Sequence, residues 1–76
     1  MPSKHLPWPS QNLSTRQIEV LHLMADGFTS RAIGEKLGIS RYTVRNHKSA
    51  MYKRLKANSA EHAMAIAMRK GYVSRD

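Results

Sequence analysis

Apolar residues in this chain recur every three or four positions, in runs separated by short polar stretches rich in serine, threonine and glycine. That period marks helices with one buried face. The first is predicted over 15–26, where Ile18, Leu21, Met24 and Ala25 form an inward stripe that Val20 widens. Ser14 and Gln17 have capping-box spacing, Leu13 and Ile18 are placed for a hydrophobic staple, and Gly27 tolerates positive φ at the helix end. A short second helix is predicted over 30–37, capped by Thr29, burying Ala32, Ile33 and Leu37, and ended by Gly38. The third, over 41–56, starts from Ser40, a hydroxyl that can accept from a free amide of the first turn. Val44, Met51 and Leu55, at spacings of seven and four, share its inward face. The fourth is predicted over 60–70, with Ser59 as cap and Gly71 as its end, after which Tyr72 and Val73 tuck back onto the body.

The pattern therefore predicts an all-α fold, a compact four-helix domain over 13–73. Its second and third helices form a helix-turn-helix across a glycine-containing turn. Gly38 suits a turn conformation that a Cβ would penalise, and Ile39 is an apolar plug that locks the angle between the helices. Residues 1–12 carry Pro2, Pro7 and Pro9 with Ser3, Ser10 and Asn12, and read as an extended or disordered arm or linker. Trp8 within it either folds back on the core or contacts a partner or another domain. Residues 74–76 are a tail. On the fourth helix Ala60, Ala63, Met64, Ile66, Ala67 and Met68 cover more than one stripe. Either that helix is sandwiched in its own domain, or one face, with Met64, Ile66, Ala67 and Met68, is kept for a second copy.

Seventy-six residues without cysteine make one small domain with no disulfide and no thiolate metal site to staple it. The net charge of +8 favours a polyanionic partner. No run approaches the roughly 18 apolar residues of a membrane span, and the amino terminus lacks the apolar core of a signal peptide, so a cytoplasmic protein is expected. An enzyme is not. The five acidic residues are scattered, and His5, His22, His47 and His62 fall in four segments without metal-ligand spacing. No catalytic residue, cofactor or metal is predicted, and His22 reads as a core-edge residue.

Charge changes the picture most on the third helix. Arg41, Arg45, Lys48, Lys53, Arg54 and Lys56 occur there with no acidic residue among them, whereas a solvated helix usually alternates sign. Thr43, Asn46, Ser49 and Tyr52 lie between the charges and can hydrogen-bond to base edges or phosphates. Such a helix suits a DNA groove.

The run Leu13-Ser14-Thr15-Arg16-Gln17-Ile18-Glu19-Val20-Leu21 resembles a known family, as do Ala25-Asp26-Gly27, Ile33, Leu37, Ile39-Ser40, Thr43-Val44-Arg45-Asn46-His47 and Leu55. It is the LuxR/FixJ/NarL type of DNA-binding domain, the output domain of bacterial transcriptional regulators, and the resemblance runs without insertion to about Val73. It implies that the third helix enters the major groove, where Arg45 reads bases with Asn46 and Ser49. Arg45 suits guanine O6 and N7, and Asn46 suits adenine. It further implies phosphate contacts from Thr29, Ser30, Arg31, Ser40, Arg41, Thr43, Lys48 and Lys53, and a homodimer on a two-half-site operator joined through the fourth helix. Double-stranded DNA is the implied partner, and RNA polymerase is a further one. Glu19 matches a structural glutamate that orients a basic or amide group, while His47 lies near phosphate or is half-buried packing. Three positions depart from the family pattern. Ala32 replaces a glutamate and removes a capping interaction; Lys56 replaces a glycine, so the turn needs another solution, with Asn58 the candidate; Ala60 replaces an arginine. Two other readings stay open: a sigma-factor region-4-like promoter-binding module, and a protein-interaction module that regulates another transcription factor.

Overall fold

Four helices build the computed structural model: α1 (Thr15–Ala25), α2 (Ser30–Leu37), α3 (Arg41–Leu55) and α4 (Ala60–Lys70). It describes residues 13–73, among which there is no strand. The arm, Trp8 and the tail lie outside the described residues.

One local device starts every helix. Ser14, Thr29, Ser40 and Ser59 each accept, at 3.0–3.1 Å, from the amide three residues on, which satisfies a donor that has no partner inside the helix. At α1 the box is complete, since Gln17 Oε1 also accepts from the Ser14 amide at 2.8 Å. At α2 it is one-sided, because Ala32 has no side-chain acceptor to return the bond.

One device also ends them. Phe28, Ile39, Ala57 and Tyr72 donate backbone N–H groups to Leu23, Gly34, Tyr52 and Ala67 at 2.8–3.0 Å. Each lies just after a residue with positive φ: Gly27, Gly38, Lys56 and Gly71. This is the Schellman ending, in which the residue after the left-handed position returns an apolar group to the helix, and all four side chains pack on the core. Asn58 is not the solution to the missing glycine. Lys56 itself takes φ 58°, because α3 stops at Leu55, two residues too early for Asn58 to serve. The Asn58 amide instead donates to His62 Nδ1 at 3.0 Å, at the start of α4.

The core is formed by Leu13, Val20, Leu21, Ile33, Val44, Met51, Leu55, Ala63, Ile66 and Ala67. Burial of each of its larger aliphatic side chains stabilises by about 1.5–3 kcal/mol relative to exposure. Two expectations for α1 change. Ala25 is exposed, because the inward arc centres on Gln17, Val20, Leu21 and Met24 and Ala25 turns away from it at the last helical position. Gln17 is buried instead, which it can be because the capping box occupies its amide. Glu19, exposed, pairs with Arg16 at 3.2 Å, so its partner is the basic residue one turn back.

The angle between α2 and α3 is set at Gly34. An added Cβ there would lie 2.6 Å from the Ile39 carbonyl oxygen. Only a residue without a Cβ lets the turn pass so close to α2. Val44 and Met51, fully buried, then hold the inner face of α3, and its other face is left outside.

Candidate nucleic-acid interface

That outer face carries the charge. Arg45, Asn46, Ser49 and Lys53 are all exposed, brought to one side of α3 by their spacing and by burial of Val44, Met51 and Leu55 opposite. Arg41, Ser40, Thr29 and Arg31 are exposed around the turn and the two helix starts, while Ser30, Thr43 and Lys48 are half-buried. The predicted residues thus lie at the start of α2, around the turn and along α3. Tyr52 does not join it. It is half-buried against the core, and burial, then the Glu61 carboxylate, pushes its phenol pKa up. His47 is half-buried as well.

Several of these groups already have partners within the protein. Lys48 Nζ donates to Ser30 Oγ at 2.7 Å, tying the middle of α3 to the first turn of α2. Ser40 Oγ donates to Thr43 Oγ1 at 3.0 Å while it accepts from the Thr43 amide. A hydroxyl has one proton and two lone pairs, so Ser30 and Thr43, each accepting, keep an O–H that can donate. Each small network therefore ends on a donor at a helix start, where an anion is favoured by the free amides and the helix dipole. Arg31 Nε lies 3.6 Å from Glu35 Oε2, an exposed pair of little strength that a phosphate can displace.

The setting of Lys48 disfavours its charge. Partial burial, and then the like charge of Arg45, lower its pKa from the ordinary lysine value. Both causes disfavour its charged form, and a nearby phosphate would counter both. The Lys48–Ser30 link was not visible in the sequence, since it joins residues 18 apart on helices whose crossing no local pattern specifies. Nor was the close approach at Gly34, where the isolated glycine inside α2 was the available signal. Among the described residues no group of three or more His, Asp or Glu side chains gathers as a metal site, and no helix is long and apolar enough to cross a membrane.

The proposed dimer residues are split by the fold. Ile66 and Ala67 are buried in their own domain, at 7% and 0% exposure, and cannot form a surface for a second copy. Met64 and Met68 are half-buried at the core's edge, and Ala65 is exposed. Part of the wide apolar set is thus explained by packing within the protomer.

The chain matches the model for bacterial regulatory proteins of the luxR family over residues 11–67. It belongs to the LuxR family. The assignment places it in DNA-binding transcription regulation and sets aside the sigma-factor reading. Relatives include the transcriptional regulatory protein DegU of Brevibacillus brevis, 40% identical over 65 residues, which are 86% of this chain and 28% of DegU. The transcriptional regulatory protein YdfI of Bacillus subtilis is 39% identical over 64 residues, 84% of this chain and 30% of YdfI. The oxygen regulatory protein NreC of Staphylococcus carnosus is 36% identical over 62 residues, 82% of this chain and 29% of NreC. The LuxR-family chain described here spans under a third of each of these relatives.

Proposed function

We propose that this LuxR-family domain regulates transcription by binding duplex DNA with α3 in the major groove, two copies occupying an operator of two half-sites. The observation that carries the reading is the outer face of α3, where Arg45, Asn46, Ser49 and Lys53 stand exposed on a helix with no acidic residue. Arg45 takes a guanine edge and Asn46 an adenine edge, with Ser49 one turn further along. Arg31, Arg41, Lys48 and Lys53 supply sequence-independent affinity by releasing counterions, and Ser30 and Thr43 donate to phosphates that flank the groove. The dimer contact is made by Met64 and Met68, the apolar residues that α4 leaves partly open. The similarity to DegU and YdfI, both transcriptional regulatory proteins, supports the regulatory role.

A selection from a random duplex library at about physiological salt tests this reading. Recovery of an inverted repeat whose half-sites lie about one helical turn apart is the expected result. Retention of duplex without a consensus sequence would overturn the base-reading roles. No retention at all would leave the surface as a contact for an acidic protein.

A further inference from the structure

The outer face of α3 holds one residue to which no role has been given. Tyr42 is 73% exposed, and it is the exposed large hydrophobic side chain among the described residues. A lone apolar residue on a surface needs no explanation in itself; its position does. At about 100° per residue, Tyr42, Asn46, Ser49 and Lys53 fall within about 60° of one another, and Arg45 lies within about 100° of all of them. This arc is opposite Val44 and Met51, which are fully buried. Tyr42 therefore stands on the outermost line of the helix, one turn ahead of Arg45 and Asn46.

The backbone beneath it is held. Ser40 Oγ accepts from the Thr43 amide at 3.0 Å and donates to Thr43 Oγ1, and the Val44 amide donates to the Ser40 carbonyl at 3.0 Å. The first turn of α3 is thus fixed on both sides of Tyr42. In a helix-turn-helix the residues near the start of the recognition helix are those that reach base edges. Among the groups that bases present in the major groove, the 5-methyl of thymine is the apolar one. Arg45 and Asn46 are suited to the hydrogen-bonding edges of purines, whereas a phenol ring offers an apolar body.

We propose that Tyr42 is a specificity-determining residue whose ring packs against the 5-methyl group of a thymine at the edge of each half-site. This rests on the DNA-binding reading above, and its test separates the two. With the site recovered by selection, each thymine is replaced in turn by deoxyuridine, which lacks only the methyl. Affinities are measured for the full chain, Tyr42→Phe and Tyr42→Ala. At one thymine per half-site the replacement weakens the unmodified protein about fourfold, the worth of one buried methyl-sized group. Tyr42→Phe keeps that penalty and Tyr42→Ala abolishes it, with helicity by circular dichroism unchanged in both. The proposal is overturned if no thymine shows a penalty, or if the penalty persists in Tyr42→Ala. It is also overturned if Tyr42→Phe and Tyr42→Ala weaken every duplex equally, which would make the hydroxyl a phosphate donor. Selection that retains no duplex defeats the DNA-binding reading itself, a different failure.

Discussion

Arg45 and Gly34 mark the two kinds of residue on which this surface depends, one that faces outward and one that makes room. Arg45 is exposed on the outer face of α3, so Arg45→Ala should leave the fold alone. It is expected to relax discrimination at one base position at a cost of about 1–3 kcal/mol, measured as affinity for single-base variants of the selected site. A loss spread evenly over all sequences would make Arg45 a phosphate contact. At Gly34 alanine would be favoured by helix propensity by up to about 1 kcal/mol. Its Cβ would meet the Ile39 carbonyl oxygen at 2.6 Å, however, and backbone in a tight turn cannot give as a flexible side chain can. Gly34→Ala is therefore expected to destabilise by about 1–3 kcal/mol, read from the shift of a urea midpoint at unchanged slope. An equal or higher midpoint would show that the turn relaxes at little cost.

At the scale of the element, the four helices share one grammar, a hydroxyl at the start and a left-handed residue followed by an apolar one at the end. At α3 the left-handed position is held by Lys56, at φ 58°, where the other three helices have glycine. A side chain in that conformation costs roughly 1–2 kcal/mol relative to glycine's freedom there. Glycine also adds entropy to the unfolded chain, which takes back part of the gain. Lys56→Gly is accordingly expected to stabilise by about 1 kcal/mol and to raise the melting temperature by several degrees. A lower melting temperature would mean that the Lys56 side chain makes a stabilising contact worth more than the strain. The start of α2 is bound to α3 by Lys48 and Ser30, so the two helices that frame the interface are joined at the turn and again at mid-helix.

For the whole molecule, a charge of +8 on 76 residues makes affinity for DNA an electrostatic matter first. Binding of both selected and random duplex should fall steeply with salt. For a dimer making on the order of 6–10 phosphate contacts, the loss is about 10³–10⁵-fold between about 50 and 200 mM. A fluorescence-anisotropy titration across that range measures it, and an affinity flat in salt would contradict the role given to the basic surface. The assembly has its own test. Met64→Glu with Met68→Glu is expected to abolish cooperative occupation of two half-sites while single half-site affinity is retained. If cooperativity survives, α4 is not the dimer face.

Much of this was legible in the sequence. Helix positions, the hydroxyl caps, Gly27, Gly38 and Gly71 as terminators, and the polar basic face of α3 all follow from relations between residues three to seven apart, which the helix geometry itself imposes. What the sequence could not determine depends on how one element meets another. Ile66 and Ala67 read as a possible second face until the placement of α4 buried them in the protomer, and Tyr52 read as a polar contact until packing turned it inward. Lys48 meets Ser30, and Gly34 admits the Ile39 carbonyl, only because α2 and α3 cross at one particular angle. Local rules set which faces are apolar; the crossing of helices decides which of those faces is covered, and no periodicity along a chain contains that information.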